Sequence, residues 1–562
     1  MFDYKARPFY LTEEEINWVE GTYREMTEEE KLGQLFCPIV FTKEEQELKD
    51  LVHRMHIGGM LYREGPGEEI RKAHQILQEE SKIPLLTASN LEYGGNGSAV
   101  EGTYYGREML AAATGDEERA YQLGKVSTSE GAAVGVNWSF APVVDLDLNY
   151  HNPITNVRTF GSNLDTVIRM GKAYIRAAKE ENVAVSVKHF PGDGVDERDQ
   201  HLLTSVNSLS CEEWDQTYGK IYEEMIKADA LTVMAAHIAM PAYEEYFDGR
   251  PCERIIPATL SSNLLQKLLR EKLGFNGLIT TDATPMVGFC SAMDRKTAVP
   301  LCIENGCDVL LFNRNMDEDF RFMKEGYERG ILSEKRLEEA VKRILATKAA
   351  MKLPQKKADG SLVPGPEALD ILKCEKHDRW ARECADEGVT LVKDTQNLLP
   401  LDPDRHRRVL LEVMGDFPSN ERVVPYFKGK LEQEGFQVTV YEKEGFEVME
   451  DTVENFKTRY DLVLYLANIE TASNKTVSRL NWHTMFGLGN NMPWMVHEIP
   501  TAFISVGNPY HLLDAPMVKT FVNGYCNSKY VMDAIVEKLT GKSAFKGRSP
   551  VDPFCGRMDL EF

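Results

Sequence analysis

The stretch Lys188-His189-Phe190-Pro191-Gly192-Asp193-Gly194, followed closely by Asp199-Gln200-His201, gathers a lysine, two histidines and several carboxylates within a few residues. Asp199 and His201 are separated by one residue and meet if the loop bends. The carboxylate then holds one imidazole nitrogen and turns the other outward as a proton donor and acceptor. Further along, an apolar run ends in Asp282, a carboxylate able to act as a nucleophile. Together these residue types point to acid/base-assisted covalent catalysis. Each also has a plainer reading: an Asp at a strand end can cap a helix or anchor a loop, and an Asp-x-His pair can be a loop-stabilising hydrogen bond.

Positioning such groups requires elements that end where the groups begin. Apolar runs at residues 33–40, 58–62, 84–88, 136–144, 183–187, 230–236, 277–281 and 308–312 alternate with amphipathic helical stretches. That alternation predicts an α/β fold, a (β/α)₈ barrel over residues 1–351, in which functional residues sit at the C-terminal ends of strands. Asn90, Asp145, Lys188, His189, His237 and Asp282 all fall just after one of these runs. His237 reads equally as a ligand contact and as a packed strand-end histidine. Thr27-Glu28-Glu29-Glu30 fits a capping box, and Ser333 is placed to cap the helix carrying Leu337, Val341 and Ile344.

Residues 352–384 are expected to form a linker, interrupted by Pro354, Asp359-Gly360 and Pro364-Gly365-Pro366. A smaller α/β sandwich is expected over residues 385–562, with strands at 409–413, 437–441, 462–466 and 502–506 and helices at 421–434 and 529–539. Between its strands, residues 478–498 make a long Gly/Asn-rich loop of the kind that often carries function. Its Trp482 and His483 either reach over the barrel mouth or belong to the second domain's core.

The chain of 562 residues is 43% hydrophobic, enough to bury sizeable cores, and its formal charge of −23 disfavours nucleic acid and anionic lipid as partners. No run approaches the ~20 apolar residues of a membrane span. The ten cysteines are scattered without zinc-type spacing, and the N-terminal residues show no basic segment followed by an apolar one. The expectation is a cytoplasmic protein without metal or cofactor, a monomer or homodimer.

The 188–201 stretch resembles the catalytic loop of glycoside hydrolase family 3, in its β-N-acetylglucosaminidase branch. Further matching pieces are Asn137-Trp138-Ser139-Phe140-Ala141-Pro142-Val143-Val144-Asp145, Val157-Arg158-Thr159-Phe160-Gly161, Met234-Ala235-Ala236-His237 and Gly274-Phe275-Asn276-Gly277-Leu278-Ile279-Thr280-Thr281-Asp282. Gly388-Val389-Thr390-Leu391-Val392-Lys393 resembles the start of that family's second domain.

The resemblance implies that Asp282 is the nucleophile, His201 the acid/base and Asp199 its partner, with Lys188, His189 and Arg158 holding sugar hydroxyls. Asn90 stands where the family often has a hydroxyl-binding Asp, and Asp193 where a His is common. The implied activity is that of a retaining, exo-acting β-N-acetylglucosaminidase on small saccharides. Three alternatives stay open: a β-N-acetylglucosaminide phosphorylase, a β-glucosidase of the same family, and an inactive sugar-binding protein. An imidazole acid/base is neutral after giving up its proton, and so does not repel an incoming phosphate dianion.

Overall fold

The computed structural model describes residues 2–415, 418–441, 452–469, 473–485, 488–489 and 491–562. Gly487 and Asn490 of the long second-domain loop lie outside the described residues. The chain divides into two compact units. The first comprises Met1–Tyr104, Ala120–Asn152 and Leu164–Asp378, and the second Tyr105–Arg119, Pro153–Asn163 and Arg379–Phe562. The stretch expected as a linker contains a helix, Leu353–Asp359, a 3₁₀ turn, Pro366–Ile371, and the start of the helix Glu375–Gly388.

In the first unit the barrel strands are β1 (Phe36–Cys37), β2 (Ile39–Val40), β3 (Gly59–Tyr62), β4 (Leu86–Ser89), β5 (Trp138–Ser139), β6 (Ala184–Phe190), β7 (Thr232–Ala235), β8 (Leu278–Thr281) and β9 (Leu310–Leu311). Hydrogen-bonded neighbours run β8-β7-β6-β5-β4-β3-β2, all parallel, and β1 pairs with β9 through Phe36 opposite Leu310. Thr280 in β8 bridges Val309, just ahead of β9. β1 and β2 are one stave broken at Pro38, so eight parallel staves close into a barrel. Every apolar run expected as a strand supplies one stave. The runs were legible because parallel strands under helices are buried on both faces and lose the alternating pattern. β3, β4, β7 and β8 are buried at every position.

The helices begin where their sequences say they should. Thr12 with Glu15, and Thr27 with Glu30, form reciprocal capping boxes that satisfy otherwise orphaned amides. Ser333 accepts from the Arg336 amide and starts the helix Glu334–Ala350, which buries Leu337, Val341 and Ile344.

Two local features place the site. The pairing of β6 with β7 slips between Val187 and Phe190, a bulge that re-aims Lys188 and His189 at the strand end. At the opposite end of β8, the buried Asp308 carboxylate accepts from the Ile279 amide (2.8 Å), Arg270 Nη2 (2.7 Å) and Arg336 Nη2 (2.6 Å). Burial alone would raise the Asp308 pKa, but Arg270, Arg336 and Arg343 hold it below its ordinary value.

The second unit holds a six-stranded sheet of β10 (Thr390–Asp394), β11 (Arg408–Met414), β12 (Gln437–Val440), β13 (Leu462–Ala467), β14 (Thr501–Ser505) and β15 (Thr520–Asn523). Its order is β10-β15-β14-β13-β11-β12, with β10 antiparallel to β15 and the other pairs parallel. One face carries a cross-strand stack in which the Tyr465 and Phe503 rings lie 5.5 Å apart and Phe503 and Phe521 5.3 Å apart. Trp482 packs edge-on to Tyr465 at 6.2 Å and donates its indole N–H to the Asp514 carbonyl, so of its two expected roles it takes the core one within this unit. The helices Asn420–Gln433 and Lys529–Leu539 fall where expected.

Replacing Asp308 with Ala leaves its guanidinium partners buried without their shared acceptor. The variant is expected to lose ~3–5 kcal/mol of stability, read as a fall in the thermal unfolding midpoint; an unchanged midpoint would show that β8 does not depend on this carboxylate.

Candidate active site

The C-terminal ends of the staves bring together most of the residues singled out by sequence. Asp145, just beyond β5, is 1% exposed and accepts from the His189 amide (3.0 Å), His189 Nδ1 (2.7 Å) and the Asp193 amide (2.8 Å). One carboxylate therefore ties down both ends of the 189–193 turn. Because Nδ1 donates to Asp145, His189 Nε2 is the atom left for other contacts. Within the turn, Gly192 adopts φ +126°, and a Cβ there would lie 2.3 Å from the Tyr218 ring. Only glycine fits that corner.

Lys188 is 3% exposed and donates to Glu92 Oε1 at 2.7 Å. An ammonium buried this deeply needs such a partner, and the remaining Nζ hydrogens stay available for hydroxyl groups. Asn90 follows β4, and among the described residues its side-chain amide makes no hydrogen bond to protein.

Asp199 Oδ1 accepts from both the amide and Nδ1 of His201, at 2.8 and 2.6 Å. Asp199 is fully covered while the His201 side chain keeps 22% of its exposure. The carboxylate fixes the tautomer, so Nε2 is the imidazole's variable proton position, and it has no protein partner among the described residues. The turn is held further by the Val287 amide, which donates to the His201 carbonyl at 2.9 Å.

Asp282 follows β8, its amide bonded to the Ala235 carbonyl at 2.7 Å and its Oδ1 accepting from the Ala283 amide at 2.7 Å. Burial by itself would raise its pKa. His189, His237 and His201 more than offset that and hold the carboxyl below its ordinary range, so it is ionised at neutral pH.

His237 differs from the other two histidines. It is fully buried; Nε2 donates to the Ala283 carbonyl at 2.9 Å, and Nδ1 accepts from the Thr259 hydroxyl at 3.0 Å. Burial pushes its pKa down to about 4, so it is neutral near pH 7. Both ring nitrogens are spent on protein, and one of them steadies the residue beside Asp282.

Arg158 sits on a 3₁₀ turn, Asn156–Arg158, that groups with the second unit, where its Nη1 donates to the Ile154 carbonyl at 3.2 Å. Sequence reasoning passed over Glu92, Gln200, Asn152 and Thr259. The Gln200 side-chain Oε1 accepts from the His237 amide at 2.8 Å, linking the 199–201 turn to β7. The one signal for it was its place between Asp199 and His201; Glu92, Asn152 and Thr259 gain their roles from distant partners and left no local trace. Among the described residues no group of three or more side chains is arranged to hold a metal ion.

The arrangement supplies an ionised carboxylate and an imidazole with a proton to exchange at the mouth of one barrel, beside a lysine and an amide suited to hydroxyl groups. Comparison with known proteins agrees with that chemistry. The family pattern described as "Glycosyl hydrolase family 3 N terminal domain" matches residues 27–347. A "Beta-N-acetylglucosaminidase/beta-glucosidase" of Cellulomonas fimi is 43% identical over 567 aligned residues, covering 100% of both chains. Among solved structures, a "Beta-glucoside phosphorylase BglX" superposes with a TM-score of 0.93 at 44% identity, covering 99% of each chain. A family 3 β-N-acetylglucosaminidase from Paenibacillus sp. str. FPU-7 shares the fold, with a TM-score of 0.78 at 24% identity, over 94% of this chain and 99% of that one. With its barrel, its barrel-mouth residues and these relatives in agreement, the chain belongs to glycosyl hydrolase family 3.

Proposed function

We propose that the protein is a retaining, exo-acting β-N-acetylglucosaminidase that removes terminal β-linked N-acetylglucosamine from small saccharides. The observation that carries the reading is the pairing of an ionised Asp282 with His201, whose Nδ1 is committed to Asp199. Retaining cleavage needs a nucleophile at the anomeric carbon and an acid at the leaving oxygen. In the first step an Asp282 oxygen forms a bond to the anomeric carbon, the bond to the aglycone oxygen breaks, and His201 Nε2 gives that oxygen its proton. In the second step His201 takes a proton from water, the water oxygen bonds to the anomeric carbon, and Asp282 leaves as a carboxylate. Asn90, Lys188 and His189 bind sugar hydroxyls in this reading, with Arg158 assigned the same role from the family resemblance. His237 positions Asp282 through Ala283.

A second reading, phosphorolysis, is favoured by the acid/base being an imidazole. After donating its proton His201 is neutral and leaves an incoming phosphate dianion unrepelled. The similarity to a chain named a β-glucoside phosphorylase points the same way, and the Cellulomonas fimi relative's name makes a β-glucoside the competing substrate. An inactive sugar-binding protein is disfavoured by the intact pair. We also place the protein in the cytoplasm as a monomer or homodimer without a cofactor. Supporting that placement, no disulfide joins its ten cysteines, and among the described residues no helix is long and apolar enough to cross a membrane.

Turnover of the 4-nitrophenyl N-acetyl-β-glucosaminide and β-glucoside tests both readings. Asp282→Ala is expected to lower kcat by at least about 10³-fold, and His201→Ala by about 10²–10⁴-fold, on the preferred glycoside. Wild-type rates on both substrates indistinguishable from those of Asp282→Ala would overturn the assignment. For the acceptor, hydrolysis predicts free sugar at a rate independent of phosphate; a phosphate-dependent rate yielding sugar 1-phosphate selects the second reading instead.

A further inference from the structure

The barrel floor carries more positive charge than it neutralises. Asp308 is fully buried and is met by three guanidinium groups: Arg270 Nη2 at 2.7 Å, Arg336 Nη2 at 2.6 Å and Arg343 Nη1 at 3.8 Å. Arg336 and Arg343 are 5% and 6% exposed, and the Arg270 side chain 8%. A guanidinium keeps its charge across the pH range of a folded protein, so three cations face one buried anion. Nearby carboxylates are engaged elsewhere. Glu20 and Glu338 pair with Lys342 at 2.9 and 2.8 Å, and Glu339 reaches Arg343 only at 3.9 Å, from a side chain that keeps 37% of its exposure. Among the described residues, Arg270 Nε, Arg336 Nε and Nη1, and Arg343 Nε are buried with no hydrogen-bond partner.

Buried charge in excess and buried N–H groups without acceptors are both costly in a core. Because all three guanidiniums reach the same carboxylate, the orphaned nitrogens crowd into one region. Aromatic rings cover two of the groups, Phe2 over Arg343 at 4.8 Å and Phe275 over Arg270 at 5.6 Å. A ring face carries no net charge and is a weak acceptor, so it does not replace an anion. On the Phe2 side the cover is the N-terminal segment rather than a stave. Asn276 holds that segment, accepting from the Asp3 amide at 3.1 Å and donating to the Asp3 and Arg7 carbonyls at 2.7 and 3.0 Å. A cover tied by few bonds opens locally at low cost and gives a small ion its way in. We propose that Arg270, Arg336 and Arg343 form a binding site for a small inorganic anion, a halide or a phosphate-like oxyanion, at the barrel floor beneath Phe2. The anion supplies both the missing charge and the missing acceptor, and a fork of guanidinium donors suits it. The site lies at the N-terminal ends of β8 and β9, where a barrel's residues serve stability rather than chemistry.

The test is thermal unfolding of the full chain, dialysed into sodium gluconate and titrated with sodium bromide or sodium phosphate at constant ionic strength. A bound anion is expected to raise the midpoint by about 3 °C, saturating below about 50 mM, where general salt effects are small. Charge sets the direction in two variants. Arg343→Met removes one excess cation and is expected to lose most of the response. Asp308→Asn removes the buried anion, so it is expected to unfold earlier in gluconate yet respond more strongly and at lower anion concentration. Diffraction from wild-type crystals soaked in the responding salt locates the ion without any variant. The ion is expected within hydrogen-bond reach of at least two of the four orphaned nitrogens, bromide being marked by its anomalous scattering. A response to bromide alone identifies a halide site, and one to phosphate alone an oxyanion site. Equal midpoints in all three salts, a response that both variants leave unchanged, or water alone at the four nitrogens in the soaked crystals would overturn the proposal. None of these readouts is turnover, so the outcome is independent of the roles assigned to Asp282 and His201.

Discussion

The barrel mouth is organised by one carboxylate that must be satisfied in a place water does not reach. Asp145 is buried, and its two oxygens collect the His189 amide, His189 Nδ1 and the Asp193 amide. A buried carboxylate left short of donors is costly, so the chain after β6 has to bend until those donors converge. The bend sets the rest: it turns Lys188 towards Glu92, requires glycine at position 192 against Tyr218, and places Asp193 where Asn152 and Gln200 can reach it. The bulge between Val187 and Phe190 is the strand's accommodation of the same constraint.

Within that frame, identical side chains take different chemistry from their partners. His237 has both nitrogens committed and is pushed by burial to about 4, so it serves as a fixed neutral prop. His201 has one nitrogen committed and part of its surface open, which leaves the other free to exchange a proton. The carboxylates divide in the same way. Asp282 is held ionised by surrounding histidines, whereas Asp193, facing other carboxylates in a buried turn, is pushed towards its neutral form. Neighbouring acids forced apart in this manner are the usual basis for separate roles in one site.

The staves and the ends of the staves were readable from sequence because burial on both faces makes an uninterrupted apolar run and the next residue, at the strand's end, is polar. Asp282 after β8 and Asn90 after β4 are of this kind, and the caps at Thr27 and Ser333 were readable because their partners lie three residues away. What could not be read depends on contacts between distant segments. Glu92 lies 96 residues before Lys188, and nothing local marks it as an ion-pair partner. Thr259 and the Ala283 carbonyl decide what His237 can do, and neither belongs to its strand. β15 went unread although it is no shorter than β12, and residues 105–119 and 153–163 group with the second unit although they lie between barrel staves in sequence. Pro and Gly in residues 352–384 marked turns correctly but concealed the helix Leu353–Asp359, which keeps Pro354 in its first turn, where a missing amide hydrogen costs nothing.

The central claim is that Asp282 becomes covalently bonded to sugar. Incubation with 5-fluoro-N-acetyl-β-glucosaminyl fluoride tests it directly, since the ring fluorine slows both steps by opposing positive charge at the anomeric centre while the fluoride leaves readily. Peptide mass mapping of the treated protein is predicted to find the added sugar on Asp282, and none on the corresponding peptide of Asp282→Ala. Steady turnover of the reagent with no adduct, or an adduct on another residue, would contradict the account.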